Sequence, residues 1–183
     1  LKFQRDTIDK LTEVFTKLWK KNGRQLPIVF KAPTGSGKTY ITALFIRGLN
    51  HLPQWSEDKA FIWITFSDDL AMQSRDKFSD YFENTLENNL LTVQDINRGK
   101  LHSNDILFLN WQKVVSASAE NRTLRRPDNE GMRKESGKYF EDVIDATKYD
   151  GREIVLVIDE AHTHVSTALA QRIIDYVDPK IVL

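Results

Sequence analysis

Apolar residues cluster in five short runs along this chain, and none of the runs alternates regularly with polar residues. Strands buried on both faces, as in a parallel sheet, have such uninterrupted apolar sequences, whereas half-exposed strands alternate. The pattern therefore predicts buried parallel strands. The five runs are Leu26–Phe30, Ala60–Thr65, Ile106–Leu109, Ile154–Ile158 and Ile181–Leu183.

Helices are predicted between most of these runs, because apolar residues there recur at helical spacing. In the first helix Ile8, Leu11 and Phe15 share one face, and Gly23 follows as a stop signal. Repeated strand–helix units connect through right-handed crossovers. We therefore expect an α/β fold with a doubly wound, mostly parallel sheet and helices on both faces. The helices are predicted over residues 3–21, Thr39–Leu49, about Asp69–Leu86, and Thr163–Val177.

Residues 116–150 depart from this pattern, because charged residues of both signs are frequent there and Pro127 interrupts the segment. Such a composition is typical of a solvated insertion, and a helix is predicted near Lys138–Thr147. A basic finger that binds nucleic acid is the alternative, although acidic residues are interspersed among its cations. Those cations are Arg122, Arg125, Arg126, Arg133 and Lys134.

Composition narrows the class of protein. A chain of 183 residues suits one domain with its own core. Its net charge is zero, so any nucleic-acid contact must be local rather than spread over a basic surface. The sequence has no cysteine, which excludes disulfides and thiolate metal sites, and it has neither a membrane-span nor a signal-peptide pattern. We therefore expect a cytoplasmic protein that does not bind membranes.

The segment Ala32-Pro-Thr-Gly-Ser-Gly-Lys-Thr39 follows the first apolar run and precedes a predicted helix. It fits the phosphate-binding loop, or Walker A, pattern, with alanine in the first position where glycine is commoner. Glycines let backbone N–H groups approach phosphate oxygens, Lys38 carries charge toward the β- and γ-phosphates, and the Thr39 hydroxyl can ligate Mg²⁺. A Gly/Ser turn that only joins a strand to a helix is the alternative. We expect ATP and Mg²⁺ to be bound by Thr34, Gly35, Ser36, Gly37, Lys38 and Thr39.

A second candidate site follows the apolar run Ile154–Ile158, which leads into Asp159 and Glu160. Adjacent carboxylates at the end of a buried strand are costly unless a cation meets them. Parallel strands bring this end to the same sheet edge as the glycine-rich loop, where such sheets bind ligands. We predict that Asp159 holds Mg²⁺ and that Glu160 polarises the attacking water, with Lys38 and Glu160 as catalytic residues. Taken alone, an Asp-Glu pair would indicate a surface turn or a helix cap.

Histidine and tryptophan side chains have both structural and functional interpretations here. Histidines that follow such a strand, as His162 and His164 do, more often pack or form hydrogen bonds, and zinc binding is not expected because no further ligand set is evident. Tryptophans can stack on bases. Core packing is the better interpretation for Trp19 and Trp63, so Trp111 is the tryptophan to test for nucleic-acid contact.

Together, "APTGSGKT" and "DEAH" resemble the first motor domain of superfamily-two helicases and translocases, a RecA-like P-loop ATPase domain. "LKFQRDTIDKL" is similar to the segment that precedes the phosphate loop in these motors, which implies that Gln4, with Arg5 nearby, recognises adenine. The resemblance also implies a coupling role for His162. "IWITFSDDLAMQSRDKF" and "DILFLNWQKV" resemble the next two motifs, and the nucleic-acid contacts that they imply are Thr65, Ser67, Gln73, Asn110 and Trp111.

Within this superfamily, the Asn-Trp-Gln segment, the charged insertion and "REIVLVIDEAH" are most similar to the restriction (Res) subunit of type III restriction–modification enzymes. The resemblance implies an ATP-driven helicase or translocase that moves on duplex or single-stranded DNA. It also implies a second RecA-like domain in the same chain, a nuclease domain that makes the enzyme an endonuclease, and a methyltransferase subunit as partner. Residues 1–183 would then form the first RecA-like domain only, and we expect this fragment to bind ATP but to hydrolyse it slowly.

Three other functions stay open on the sequence alone. One is a DEAH motor that acts in DNA repair or remodelling. A second is an AAA-type P-loop ATPase, which would assemble into rings in which a neighbour's arginine completes the site. The third is a module that senses nucleotide without hydrolysing it, which the presence of both Lys38 and Glu160 disfavours.

Overall fold

The computed structural model describes residues 2–33, 35–52, 58–82, 88–115, 124–127, 139–159 and 168–183. Its helices are α1 (Lys2–Trp19), α2 (Lys38–Asn50), α3 (Asp68–Phe82), α4 (Trp111–Val115), α5 (Phe140–Tyr149) and α6 (Ala168–Val177), with a 3₁₀ helix at Val93–Arg98. Its strands are β1 (Leu26–Pro27), β2 (Lys59–Thr65), β3 (Leu90–Leu91), β4 (Ile106–Asn110), β5 (Glu153–Ile158) and β6 (Ile181–Val182). None of the helices in these ranges is both long and apolar enough to cross a membrane.

The strands form one six-stranded sheet in the order β1-β6-β5-β2-β4-β3, and every pair of neighbours is parallel. Strand β2 lies near the centre, where Trp63 is opposite Phe108 of β4 and Val157 of β5. All six strands therefore end at the same side of the sheet, which we call the carboxyl edge, and begin at the opposite amino edge. This architecture confirms the predicted doubly wound α/β fold.

Both faces of the sheet are buried, which explains why the strand sequences do not alternate. Phe61 and Trp63 of β2 belong to an aromatic-rich cluster with residues of α1, α2 and α3. Ile62 and Ile64, on the opposite side of the same strand, belong to a mainly aliphatic cluster with residues of α5 and α6. Each large apolar side chain buried in this way contributes about 1.5–3 kcal/mol relative to an exposed one. The two clusters hold the helices against the sheet.

The boundaries of several elements differ from those predicted. The first strand, at the edge of the sheet, is short. The N–H groups of Leu26 and Ile28 donate to Lys180 O and Val182 O at 3.2 and 2.8 Å, and Pro27 between them has no N–H group to donate. The predicted parts of α3 beyond Phe82 and of α6 before Ala168 lie outside the described residues. Sequence patterns missed β3, the 3₁₀ helix and α4, all of which are shorter than a periodicity window.

The helix predicted near Lys138–Thr147 is present as α5 (Phe140–Tyr149), but the prediction that this part of the charged segment is solvated was wrong. Helix α5 buries Phe140, Val143 and Ile144 in the aliphatic cluster, so it forms part of the core. Arg125 pairs with Glu141, and Arg126 pairs with Asp142 of the same helix. These pairings argue against a basic finger, since they neutralise the two arginines that are described. Its other members, Arg122, Arg133 and Lys134, lie outside the described residues.

Candidate active site

The glycine-rich loop adopts a backbone that requires its glycines. Gly35 has φ 79° and Gly37 has φ 84°, both in the left-handed region that other residues rarely occupy. Gly37 is also the residue from which α2 begins. A β-carbon on Gly37 would lie 3.0 Å from Nε2 of Gln4, so the position is both strained and crowded for a larger residue.

Hydrogen-bond donors of this loop remain available for a ligand. The Ser36 N–H donates to Pro33 O at 3.2 Å, whereas no described residue accepts from the N–H groups of Gly35 and Gly37. The first N–H groups of α2 lack intrahelical acceptors, as at every helix start. The buried Ser36 Oγ has no partner among the described atoms. These groups, together with the positive end of the α2 dipole, suit a bound phosphate.

A cavity of about 580 Å³ opens beside the loop at the carboxyl edge. Lys38 and Thr39 line it from the first turn of α2, and Asp159 lines it from the residue after β5. The N–H of Asp159 donates to Ile64 O at 3.0 Å, which anchors the end of β5 to its neighbour β2. The fold thus brings Asp159 to the same cavity as Lys38 and Thr39, which precede it by 121 and 120 positions, as the strand pattern predicted.

The chemistry of this cavity fits ATP and Mg²⁺. Mg²⁺ in nucleotide sites is held by one or two carboxylates or hydroxyls together with substrate phosphates, and not by a full cage of protein ligands. Asp159 and Thr39 supply that donor set, and Lys38 forms no ion pair with any residue in the described ranges.

The predicted adenine contact, Gln4, lies directly against the glycine-rich loop. Its Nε2 donates to Ser36 O at 3.4 Å, so α1 and the loop touch across 32 positions of sequence. Arg5 is exposed on the same helix turn. The adenine role of these two residues stays a prediction. Thr34, Glu160, His162 and His164 lie outside the described residues, so the roles predicted for Thr34, Glu160 and His162 also stay predictions.

Two of the candidate nucleic-acid contacts are neighbours at the carboxyl edge. Thr65 of β2 and Asn110 of β4 are register partners, and both are buried. The Thr65 hydroxyl donates to Ser67 O at 2.9 Å, and Asn110 Oδ1 accepts from the N–H of Gln112 at 2.9 Å. These bonds shape the chain where it leaves each strand. Direct contact with a nucleic acid therefore suits other residues of this edge better.

Ser67 and Gln73 are more accessible candidates. Ser67 Oγ accepts from the N–H of Leu70 at 3.2 Å, which caps the start of α3. Gln73 is exposed on the following turn. Close to the same edge, Lys113 Nζ lies 3.0 Å from Asp68 Oδ2 and connects α4 to α3. Ser67 and Gln73 therefore present polar groups at and soon after the start of α3.

Trp111 does not suit the contact predicted for it. Its side chain is only 6% exposed and packs in the aliphatic cluster, so its ring has no free face for a base. We drop it from the candidate nucleic-acid contacts. Trp19 and Trp63 are also buried, at 7% and 2% exposure, which confirms that they are core residues. Trp55 lies outside the described residues.

Sequence reasoning missed Thr42 and Trp63 as parts of the cavity wall. Thr42 follows Lys38 by one helical turn, and its hydroxyl donates to Lys38 O at 2.9 Å. The i to i+4 spacing could have identified it, since such residues share a helix face. Trp63 carries no comparable signal, because a tryptophan inside an apolar strand indicates only burial.

The whole of this chain, residues 1–183, matches the family model described as type III restriction enzyme, res subunit. No curated protein matches it.

Proposed function

The chain belongs to the type III restriction enzyme res subunit family, whose members are helicase-like ATPases of superfamily two, and we propose that residues 1–183 form the first RecA-like motor domain of a DNA-dependent ATPase. In this proposal ATP hydrolysis drives movement on DNA. A second RecA-like domain, a nuclease domain and a methyltransferase partner belong to the same proposal, as the restriction family implies.

One observation carries the ATPase proposal. Lys38, Thr39 and Asp159 line a single cavity next to a loop whose two glycines have left-handed backbones. A structural turn would need neither a lysine without an ion pair among the described residues nor a carboxylate lining the same cavity. The arrangement supports a site for a triphosphate and its metal ion.

Each residue has a distinct task in the proposed reaction. The loop N–H groups and the Lys38 ammonium bind phosphate oxygens and offset the charge that develops on them during transfer. Thr39 and Asp159 orient the metal ion, which when bound neutralises phosphate charge. Glu160 orients the attacking water and accepts its proton. Gln4, whose Nε2 donates to Ser36 O, contacts the loop from α1 and is proposed to recognise adenine.

DNA would be held at the carboxyl edge, next to the cavity. Ser67 and Gln73 supply polar groups for the backbone of one strand, while Thr65 and Asn110 shape the turns that present them. These residues follow β2, which is next to β5, and β4, which is next to β2. In this proposal a change at the nucleotide therefore reaches them across one or two strands. His162 is proposed to couple the two sites.

ATP binding tests this proposal directly. Lys38→Ala should weaken binding of a non-hydrolysable ATP analogue, measured by calorimetry with Mg²⁺, at least about tenfold, because a charge-assisted contact to phosphate is lost. The matched control is Lys20→Ala, which removes an exposed cation at the end of α1. Equal affinity of the two variants would contradict the site.

A second substitution tests the water-activating role. In the full-length protein Glu160→Gln should retain analogue affinity and lose DNA-stimulated hydrolysis, since only the base is removed. Hydrolysis that survives this change would show that another group activates water. DNA stimulation of the unmodified protein distinguishes a motor from a nucleotide sensor.

A further inference from the structure

A second pocket, distant from the nucleotide cavity, lies at the β3 end of the sheet. We propose that this edge pocket binds a phosphate group. Its volume is about 330 Å³, and its lining includes Arg75, Ser79, Phe82, Asn89, Leu90 and Arg98. The nucleotide cavity is lined by residues of β1, β5 and β6, which lie toward the other end of the strand order, and the two pockets share no lining residue.

Arg75 has a buried donor without a partner among the described residues. Its Nη1 donates to Asp76 at 2.9 Å, which leaves most of the guanidinium donors unused. The Nε atom is buried, and no described atom accepts its hydrogen. A buried guanidinium donor without an acceptor among the described residues is uncommon, so this group suits a bound partner.

Arg98 faces the same pocket from the end of the 3₁₀ helix. It is exposed, and it forms no ion pair or hydrogen bond with any residue of the described ranges. The nearby carboxylate of Asp95 is already occupied, because it accepts from the N–H and the hydroxyl of Thr92. The second guanidinium therefore also remains available.

The other lining residues favour an oxyanion. Ser79 adds a hydroxyl from the turn after Arg75, and no acidic residue lines the pocket among those described. Asn88 and Asn89 use their amide groups to donate to Asn104 O and Asp105 Oδ1, which fixes the wall. Arg75 has one carboxylate partner, Asp76, and Arg98 has none among the described residues. Their remaining guanidinium donors match a phosphate, because planar guanidinium groups bind its oxygens in pairs.

The phosphate could come from a nucleic-acid backbone or from a small phosphate ester. Arg75 and Ser79 lie on α3, the helix that begins beside Ser67 and carries Gln73. A strand held at the carboxyl edge could therefore continue along α3 to this pocket. The inference does not depend on the proposed ATPase function, because the pocket residues have no part in the nucleotide site.

Nuclear magnetic resonance of arginine side chains provides the test. Inorganic phosphate is titrated into the ¹⁵N-labelled protein at constant ionic strength, and the Nε–Hε signal of Arg75, identified with Arg75→Gln, is followed. We expect a saturable shift of this signal. Arg98→Gln should weaken the fitted affinity at least about tenfold, whereas Arg98→Lys should retain part of it. Arg172→Gln, an exposed arginine of α6 with the same charge change, is the matched control.

Each outcome of these titrations either supports or overturns the phosphate assignment. Absence of a saturable shift, unchanged affinity in Arg98→Gln, or an equal response to acetate would overturn the phosphate assignment. Persistence of the shift in Lys38→Ala would support a site separate from the nucleotide cavity, and its loss there would overturn that separation. In a parallel titration with single-stranded DNA, a shift that Arg98→Gln weakens supports a backbone phosphate as the source. A phosphate response without a DNA response supports a small phosphate ester.

Discussion

The carboxyl and amino edges of the sheet differ in whether their polar groups have partners. At the carboxyl edge, the Lys38 ammonium and the N–H groups of Gly35 and Gly37 have no partners among the described residues, and Lys38 lines a cavity. At the amino edge, charged side chains satisfy one another. Arg24 donates to both carboxylate oxygens of Glu153, at 3.1 and 2.7 Å, and lies 2.7 Å from Asp178.

Further ion pairs continue along the amino edge. Arg152 lies 2.8 Å from Asp58, and Lys100 lies 2.6 Å from Asp150. The bond to Lys100 lowers the pKa of Asp150, and the bonds to Glu153 raise the pKa of Arg24. The difference indicates that charged groups at the carboxyl edge serve binding, whereas those at the amino edge stabilise the fold. Substitutions at the two edges should therefore affect different measurements.

The largest expected effect is at the carboxyl edge. Asp159→Asn should lower Mg²⁺-dependent ATP hydrolysis by about 10²–10³-fold, because a ligand for the metal ion loses its charge. Hydrolysis is measured over a Mg²⁺ titration in the full-length protein. Asp178→Asn makes the same chemical change at the amino edge and should leave hydrolysis intact. A similar loss of activity in both variants would break the distinction between the edges.

Gly37→Ala should cost about 1–2 kcal/mol of folding free energy, because the residue has φ 84° and its β-carbon would crowd Gln4. Urea denaturation measures this cost, and analogue binding should weaken as well. The matched control is Gly48→Ala in the interior of α2, where nothing lies within 4 Å of the new β-carbon. That change should stabilise the protein by about 0.5–1 kcal/mol. Equal effects of the two substitutions would mean that the loop is not strained.

Arg24→Gln tests the amino edge. It should lower the free energy of unfolding by about 1 kcal/mol, since a half-exposed arginine loses paired contacts to Glu153 and Asp178. ATP-analogue affinity should not change. Arg172→Gln on α6 controls for the loss of one positive charge and should be neutral. Weaker ATP binding in Arg24→Gln would show that the two edges are coupled.

A similarly small effect is expected at Tyr176, which belongs to neither edge. Its hydroxyl donates to Asp145 at 2.8 Å, and burial, with this bond, raises the pKa of Tyr176. Since the folded pKa exceeds the unfolded value of about 10, the stabilisation is complete below pH about 10 and declines as the pH rises further. Tyr176→Phe should cost about 1 kcal/mol at pH 7. Urea denaturation should show this difference shrinking above pH 10, and a constant difference would contradict the assignment.

The sequence predicted the central strands well, because continuous apolar runs leave few alternatives. The predicted strand Ala60–Thr65 corresponds to the observed strand Lys59–Thr65, and the predicted strand Ile154–Ile158 corresponds to the observed strand Glu153–Ile158. The loop and Asp159 were predicted to meet because parallel strands end at one edge. Two-residue strands such as β3 carry too little pattern to be found.

Side-chain direction was the weaker part of the prediction. The resemblance to a nucleic-acid motif identified Trp111 by its position in the sequence alone. Its side chain is buried because it packs in a cluster with helices that are distant in sequence. The edge pocket was also not predictable, because Arg75 and Arg98 meet only after β3 joins β4. Local pattern specifies elements, whereas such sites depend on how the elements pack.

The pairing of β1 with β6 has a consequence for how the protein is made. Leu26 is the register partner of Ile181, so the strand that leads into the glycine-rich loop finds its neighbour only after 155 further residues have been synthesised. Contacts of such long sequence separation form late and slow down folding. A nascent chain on the ribosome is therefore expected to acquire affinity for nucleotide abruptly, once residues 181–182 have left the exit tunnel.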